Sequence, residues 1–308
     1  MPSLVSIEQL DRVAVERLLR RAQSFLDYQL EGKENVGKES VGVKGTAVNL
    51  FFEPSTRTAL SFQLAAQRLG LKVLDFVVEN SSATKGESLI DSLQTIDALG
   101  VDLAVIRHPE NWPKLLDGEK FDLSLVNAGS GIHEHPTQAL LDALTIRQHH
   151  GGFSDLKVAI VGDIYHSRVA RSNALLLRRL GAEVSFSGPE AFRKGDVAEH
   201  RWIDFEEAVV ESDVVMMLRI QHERHQHIFD TTNYNQHFGL NMSRLQQMKK
   251  NAIILHPGPV NRGVELTDDV MRDPRCKLLQ QVTNGVAVRM AVLEWCLQGG
   301  SNEQLVSA

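Results

Sequence analysis

Short apolar runs alternate with longer stretches in which apolar residues recur every three or four positions, and this alternation continues along most of the chain. The short runs have the length and composition of buried strands, whereas the longer stretches have the period of amphipathic helices. Strands that alternate with helices indicate parallel sheets built from right-handed crossover connections. After an amphipathic helix predicted within 1–23, the first half contains predicted strands at 45–52, 71–78, 101–109 and 121–129 and predicted helices at 61–70, 87–100 and 135–150.

The alternation starts again after Gly151 and Gly152, which end the preceding helix and indicate a domain boundary. We therefore predict an α/β fold of two domains, each a parallel sheet flanked by helices, joined by interdomain helices. The domains are predicted at 1–150 and 151–284, and a C-terminal helix in 285–308 is predicted to pack back on the first domain. In the second half, strands are predicted at 157–163, 182–189, 213–221 and 252–259, and helices at 167–181, 205–212 and 285–299.

Composition narrows the class of protein. A chain of 308 residues is long for one compact core and fits two domains of roughly 150 residues. The formal net charge of −6 argues against a nucleic-acid partner and against binding to an anionic membrane surface. No apolar run approaches the ~20 residues of a membrane span. Any site for an anion must therefore be a local cluster of positive charge.

The chain contains only two cysteines, Cys276 and Cys296. Two thiols cannot form a disulfide framework, and no C-x-x-C pair is present to hold zinc or an iron–sulfur cluster. The first residues also lack the apolar core of a secretion signal. These features predict a reduced, cytoplasmic protein, with a single bridge between the two cysteines as the alternative.

Polar side chains follow most of the predicted strands. In open parallel sheets, ligands bind beyond the carboxyl ends of the strands. If two such sheets face each other, these side chains lie in one cleft between the domains. The residues concerned are Thr56, Arg57, Arg107, His108, 133–135, 163–168, 219–221, His256 and Pro257.

The stretch FFEPSTRTALSF places three hydroxyl residues and an arginine at the predicted start of a helix. Unpaired backbone N–H groups and the helix dipole make such a helix end attractive to phosphate or carboxylate. The alternative is a simple N-cap, because serine and threonine are favoured there for local reasons. Capping accounts for one hydroxyl, but not for three and a guanidinium. The stretch is not a Walker loop, since G-x-x-x-x-G-K-[ST] is absent.

Further segments contain residues that could take part in binding or catalysis. The loop NSSATKGES at 80–88 could cover an anion with its lysine, or could be an ordinary solvated loop. Gly162 follows a buried strand, but G-x-G-x-x-G is missing, so a dinucleotide site is not predicted. The histidines at 133–135 and 222–227 lack the ligand spacing of a metal site, and no metal or cofactor is expected. The rigid turn at 257–259 displays backbone carbonyls, which suit an NH₂ group.

Taken in order, these motifs resemble those of the aspartate/ornithine carbamoyltransferases, and the resemblance covers nearly the whole chain. The R-x-Q-x-E-R pattern is similar to that of the aspartate branch, and HPGPVNR stands where ornithine enzymes usually carry H-C-L-P. The sequence departs from the family pattern at two positions: Ala59 stands where some relatives have a basic residue, and Gly258 where others have a bulkier one. Neither side chain is needed for the implied contacts, so these departures bear on regulation more than on the reaction. The matching motifs are FFEPSTRT, SSATKGES, RHP, HPTQ, GD followed by SR, RIQHER, HPGP and NGVAVR.

The resemblance implies transfer of the carbamoyl group from carbamoyl phosphate to the α-amine of L-aspartate, a step of de novo pyrimidine biosynthesis. It implies a carbamoyl-phosphate-binding domain at 1–150 and an aspartate-binding domain at 151–284. The implied catalytic residues are Arg57, Thr58, Lys85, Arg107 and His135, and the implied substrate-binding residues are Ser55, Thr56, Ser81, Gln138, Arg168, Arg219, Gln221, Pro257 and Gly258.

Within this set, residues 55–58 would hold the phosphate, and Arg107, His135 and Gln138 would contact the carbamoyl end. Arg168, Arg219 and Gln221 would bind the carboxylates of aspartate, while the carbonyls of Pro257 and Gly258 would accept from the carbamoyl NH₂. Ser81 and Lys85 would reach into the site of a neighbouring subunit, which implies a homotrimer. A regulatory chain or another enzyme of the pathway is the further partner that the resemblance leaves open.

Two alternatives remain at this stage. The chain could carbamoylate another amino acid, such as ornithine, or it could be a catalytically silent scaffold of the same fold. The first differs in the amine that it accepts. The second would be favoured by the loss of a cationic site residue, and all five implied cations are present in the sequence.

Overall fold

A computed structural model describes residues 2–30, 44–74, 76, 86–220 and 234–299. The chain divides into two compact units, Met1–Leu144 with Val282–Ala308 and Thr145–Gln281. Each unit contains one four-stranded sheet in which every pairing is parallel, so the predicted fold class is confirmed. The assignment of ligands to the predicted domains 1–150 and 151–284 is still a prediction.

The sheet of the first unit has the strand order β2-β1-β3-β4. The strands at 103–108 and 124–130 are largely buried, whereas the edge strand at 72–74 leaves Lys72 and Leu74 exposed. Its elements are α1 (Arg12–Leu30), β1 (Thr46–Phe51), α2 (Thr56–Arg68), β2 (Lys72–Leu74), α3 (Leu89–Ala98), β3 (Leu103–His108), α4 (Trp112–Leu115), β4 (Ser124–Ser130) and α5 (Pro136–His150), the last of which runs into the second unit.

The sheet of the second unit has the order β6-β5-β7-β8. Its elements are β5 (Lys157–Val161), α6 (Arg168–Leu180), β6 (Glu183–Ser187), α7 (Phe205–Glu211), β7 (Val214–Met217), α8 (Tyr234–Phe238), α9 (Met242–Leu245), β8 (Ile253–Leu255), α10 (Asp268–Arg272) and α11 (Leu278–Leu297), and α11 continues into the first unit. Within the described ranges, no helix is long and apolar enough to cross a membrane.

The N-terminal segment differs from the prediction. The helix predicted within 1–23 begins only at Arg12, after a 3₁₀ turn at Ile7–Gln9. Leu4 instead forms a parallel bridge with Val126 of β4, and its N–H donates to the Leu125 carbonyl at 2.9 Å. Because β4 lies at the edge of its sheet, its backbone groups are open to such pairing, and the apolar period of the segment does not reveal it.

The strand predicted at 213–221 is also shorter than expected. It ends at Met217, so Arg219 follows the strand instead of lying in it; Gln221 lies outside the described residues. Leu218 still donates its N–H to Val161 at 2.8 Å. The N–H of Ile220, however, donates to the Glu265 carboxylate at 2.8 Å, and this side-chain acceptor replaces the ladder.

Candidate active site

Three neighbouring strand ends carry the predicted residues of the first unit. The register pairs Phe51 of β1 with Arg107 of β3, and His108 of β3 with Ser130 of β4. The chain leaves β1 directly into the FFEPSTRT stretch and leaves β4 directly into the turn before His135. Parallel pairing therefore brings residues 55–58, Arg107 and His135 to the same edge of this sheet.

The STRT stretch forms the first turn of α2. Ser55 is the N-cap residue (φ −161°, ψ 85°), and its side chain makes no capping hydrogen bond. The serines that precede α3 and α6 behave differently, because Ser88 and Ser167 accept from backbone N–H groups at 3.2 and 3.1 Å. The first turn of α2 therefore lacks the side-chain cap that the simple N-cap interpretation requires. Hydroxyls and backbone N–H groups at the start of a helix suit the binding of an anion.

The two outer residues of this turn, Thr56 and Arg57, are exposed, whereas Thr58 is buried. An exposed guanidinium at a helix N-terminus adds positive charge where the dipole already favours an anion. The helix predicted at 61–70 therefore begins earlier, at Thr56.

Arg107 is fixed at the end of β3. Its Nε lies 3.2 Å from Oε2 of Glu53, and its NH1 donates to the Ala128 carbonyl at 3.4 Å. The side chains of Arg107 and Glu53 are 14% and 19% exposed, so solvent screens this ion pair only in part. Glu53 was not predicted from the sequence. Its negative charge offsets part of the positive charge that Arg107 would offer to an anion.

His135 and Gln138 are buried at the start of α5. The carbonyl of His135 accepts from the N–H of Gln138 at 3.0 Å, as expected for the residue that precedes Pro136 at the first helical position. The preceding residue, Glu134, accepts from the Ser6 hydroxyl and from the Ile7 N–H. The N-terminal 3₁₀ turn thereby holds the backbone that carries His135.

In the second unit, predicted site residues also lie at the ends of parallel strands, and two of them are arginines. Its register pairs Val161 of β5 with Met217 of β7, and β8 is the next strand in the sheet. Arg168 is the first residue of α6 and is buried, while Arg219 follows β7 and is half-buried. Two guanidiniums that follow adjacent parallel strands suit a ligand with two carboxylates.

The HPGP turn follows β8. His256 is buried, and its Nδ1 accepts from the N–H of Gly258 at 2.8 Å, which fixes the turn. Gly258 has φ +63°, a conformation that side chains other than glycine rarely adopt. Glycine at this position thus has a backbone reason. Pro257 and Gly258 are both partly exposed.

A buried polar cluster of the second unit was missed by sequence reasoning. Glu265 is fully buried and accepts from the Ile220 N–H at 2.8 Å, from the Asn261 N–H at 2.8 Å and from the Asn261 side chain at 2.7 Å. Burial raises the pKa of Glu265, and these three donors oppose that rise. Glu265 joins the segment of Arg219 to the loop that follows HPGP, but no local pattern in the sequence distinguishes it.

Asp163 belongs to the same region and is fully buried beside β5. Its carboxylate lies 2.8 Å from Nδ1 of His166. Burial and the carboxylates of Glu265 and Asp163 together raise the pKa of the Tyr234 hydroxyl, which therefore stays protonated at neutral pH. Sequence reasoning placed 163–168 at a strand end but did not indicate this buried network.

Three predicted site residues, Ser81, Lys85 and Gln221, lie outside the described residues. The others form two groups, one at the edge of each sheet. In the part of the chain that the structure describes, no three histidine, cysteine, aspartate or glutamate side chains are grouped so as to hold a metal ion.

Comparison with known proteins matches both units. The model of the aspartate/ornithine carbamoyltransferase carbamoyl-P binding domain matches residues 3–148, and that of the Asp/Orn binding domain matches residues 154–296. The aspartate carbamoyltransferase catalytic subunit of Lactiplantibacillus plantarum is 46% identical over 313 residues, which cover 99% of this chain and 97% of that protein.

Solved structures agree with these matches. The crystal structure of aspartate transcarbamoylase from Trypanosoma cruzi in complex with carbamoyl aspartate and phosphate gives a TM-score of 0.83 at 32% identity, and the match covers 95% of this chain and 94% of that one. The catalytic subunit of M. Jannaschii aspartate transcarbamoylase gives 0.84 at 30% identity, with 98% of this chain and 100% of that chain covered.

Proposed function

This chain belongs to the aspartate/ornithine carbamoyltransferase family, and we propose that it transfers the carbamoyl group of carbamoyl phosphate to the α-amine of L-aspartate, giving N-carbamoyl-L-aspartate and phosphate. The observation that carries this is the edge of the first sheet, where an uncapped helix start, an arginine and a histidine converge. The related Trypanosoma cruzi enzyme was crystallised with the two products of this reaction.

The phosphate would be bound by the first turn of α2. Ser55, Thr56 and Thr58 supply hydroxyl donors, the turn supplies backbone N–H groups, and Arg57 supplies a charged fork. As the bond to the carbamoyl carbon breaks, charge builds up on the departing phosphate. Donors already fixed in the helix stabilise that charge without having to reorganise.

The carbamoyl carbonyl would lie against Arg107, His135 and Thr58. Attack by the amine moves negative charge onto the carbonyl oxygen, and each correctly placed donor lowers the barrier by about 3–4 kcal/mol. The ion pair of Arg107 with Glu53 and the helix start at Pro136 hold two of these groups in place. His135 acts here as a hydrogen-bond donor, and the departing phosphate can accept the proton of the amine.

L-Aspartate would be bound by the second unit. Arg168 and Arg219 face its carboxylates, with Gln221 as a further contact, and the carbonyls of Pro257 and Gly258 accept from the carbamoyl NH₂. This arrangement also sets specificity, because the side chain of ornithine would bring a cation to Arg219 where aspartate brings an anion.

We further propose that the chain works as a cytoplasmic homotrimer in which Ser81 and Lys85 complete the site of a neighbouring subunit. The name of the Lactiplantibacillus plantarum relative, a catalytic subunit, supports assembly with a further chain. A regulatory chain and another enzyme of pyrimidine biosynthesis are the two candidates. Light scattering of the purified chain tests the trimer, for which we expect three times the mass of one chain.

The experiment that tests the function is an assay with two amines. The purified chain is incubated with carbamoyl phosphate and either L-aspartate or L-ornithine, and both the ureido product and released phosphate are measured. We expect equal amounts of the two products with aspartate and no product with ornithine above the blank. Product from ornithine alone would assign the chain to another amino acid. If no product forms and calorimetry detects no binding of carbamoyl phosphate, the scaffold alternative is favoured.

A further inference from the structure

Helix α5 carries a buried pair one turn apart. Nε2 of Gln138 donates to Oδ1 of Asp142 at 2.9 Å, and Asp142 is fully buried. An ionised carboxylate accepts hydrogen bonds and donates none, so only the NH₂ side of the glutamine amide can face it. The orientation of this amide is therefore fixed by chemistry, and its Oε1 is turned away from Asp142.

The charge of Asp142 is matched by Arg289 of α11. Arg289 is buried, and its guanidinium lies over the ring of Phe62 of α2, 5.0 Å from the centroid. Burial lowers the pKa of Arg289 to about 10, and the charge of Asp142 opposes this shift. Arg289 consequently stays charged at neutral pH. A nearby buried cation favours the ionised form of a carboxylate, and an ionised carboxylate can only accept hydrogen bonds.

The space for Arg289 is provided by Gly285, one turn earlier on α11. A Cβ at Gly285 would lie 2.5 Å from NH1 of Arg289 and 3.2 Å from Cδ2 of Leu141. A side chain at position 285 would therefore collide with the Arg289 guanidinium in its present position. Helices α2, α5 and α11 meet at this group, within the first unit.

We propose that Asp142, supported by Arg289, is a positioning residue that fixes the sense of the Gln138 amide and so makes the donor site selective for a carbamoyl NH₂ group. The inference rests on the proposed contact between Gln138 and the carbamoyl end. The carbamoyl nitrogen is a hydrogen-bond donor and needs an acceptor, which Oε1 supplies. A glutamine without this restraint could turn its NH₂ toward the ligand instead, and two donors would then face each other.

The test compares three ligands on the variant Asp142→Leu, which keeps the branched shape of the side chain but removes both acceptor oxygens. Equilibrium binding of carbamoyl phosphate, acetyl phosphate and inorganic phosphate is measured; acetyl phosphate has a methyl group in place of the NH₂. We expect the affinity for carbamoyl phosphate to fall about 5- to 10-fold, the loss typical of one hydrogen bond. Affinities for acetyl phosphate and phosphate should change less than about twofold. An unchanged affinity for carbamoyl phosphate, or an equal loss for all three ligands, would overturn the proposal.

Two further variants make the result decisive. Asp142→Leu removes the negative charge that interacts with the buried Arg289 guanidinium. Asp142→Leu is therefore also combined with Arg289→Met, because removing both charges usually costs far less stability than removing one of them. Asp97→Asn is the matched control, because this carboxylate accepts from the Leu123 N–H at 2.9 Å in the same unit and should not alter ligand selectivity. The two proposals are tested by different measurements. Absence of turnover by the unmodified chain would refute the proposed function, whereas the role of Asp142 is tested by ligand binding and does not depend on turnover.

Discussion

Replacing Arg57 with alanine separates the chemistry of the anion site from the stability of the fold. Arg57 is exposed in the first turn of α2, so its removal opens no cavity. Its positive charge stands at the helix end where the dipole disfavours a cation, by about 0.3–1 kcal/mol. We therefore expect Arg57→Ala to leave the unfolding free energy unchanged or to raise it by up to about 1 kcal/mol.

The effect on turnover should be much larger and opposite in direction. In the proposed mechanism Arg57 stabilises the charge that grows on the departing phosphate, and loss of one such donor typically costs about 3–4 kcal/mol in the barrier. This corresponds to a fall in kcat of about 10²- to 10³-fold. Because the remaining hydroxyls and N–H groups still bind the ground-state phosphate, KM for carbamoyl phosphate should change far less than kcat.

Arg68→Ala provides the matched control. Arg68 is exposed in the last turn of the same helix, roughly 16 Å from Arg57 along the helix axis. That distance is about two Debye lengths at physiological salt, so Arg68 should not act on the phosphate. Since Arg68 stabilises the helix C-terminus, its removal should lower stability slightly and leave kcat intact. The assignment of the phosphate to α2 would be refuted by near-normal kcat/KM in Arg57→Ala, or by similar kcat losses in both variants.

Three further predictions concern the second unit. Arg219→Lys should raise KM for aspartate about tenfold or more without altering phosphate binding in calorimetry, because a lysine cannot form the two parallel hydrogen bonds of a guanidinium; an unchanged KM would contradict the assignment of Arg219. Glu265→Gln places an NH₂ among groups that donate to the carboxylate, so urea unfolding should show a loss of about 1–3 kcal/mol, and an unaltered midpoint would remove Glu265 from this role. Nδ1 of His200 lies 2.9 Å from NH1 of Arg178 and must be unprotonated to accept from it, and burial lowers the pKa of His200. Its contribution is therefore present above about pH 6.5 and is lost as the pH falls below that value; His200→Gln should reduce the drop in thermal midpoint between about pH 7.5 and 5.5, and an identical drop would exclude this contribution.

The architecture was predictable because most of the strands are short and mainly apolar and lie between stretches that have the apolar period of a helix. The two four-stranded parallel sheets are confirmed, and the strands of each sheet begin and end close to the predicted positions in most cases. The glycines after α5 and α6 also end their helices as expected, and Gly181 adopts the left-handed conformation of a helix C-terminus. These features depend on neighbours in the sequence.

What the sequence does not reveal depends on partners that are far apart along the chain. Ser6 and Glu134 are separated by 128 positions, and Ile220 and Glu265 by 45. Nothing local marks either carboxylate, because an isolated glutamate between loop residues is usually solvated. The early end of β7 has the same origin, since the acceptor that replaces the ladder comes from a distant loop.

The positions of the cations and hydroxyls of the site were predictable for a different reason. Parallel sheets place ligands beyond the carboxyl ends of strands. In the structure residues 55–58, Arg168 and Arg219 follow such ends, and Arg107 is the second-last residue of β3. Their roles toward substrate remain proposals. The residues that hold them in place, such as Glu53, Asp142 and Glu265, could be found only from three-dimensional contacts.

Both units use one physical device to hold site residues on loops and helix ends. Glu134 precedes His135 and accepts from the Ile7 N–H, Asp142 accepts from the side chain of Gln138, and Glu265 accepts from the N–H of Ile220, next to Arg219. Asp142 and Glu265 are fully buried, and Glu134 is partly buried. Such charge-assisted bonds are short and directional, whereas apolar packing would fix a loop less narrowly. Burying these carboxylates opposes folding, so the sheets and their apolar cores must supply the stability. It follows that changing a ligand-binding cation should reduce activity while sparing the fold, whereas changing a holding carboxylate should reduce both.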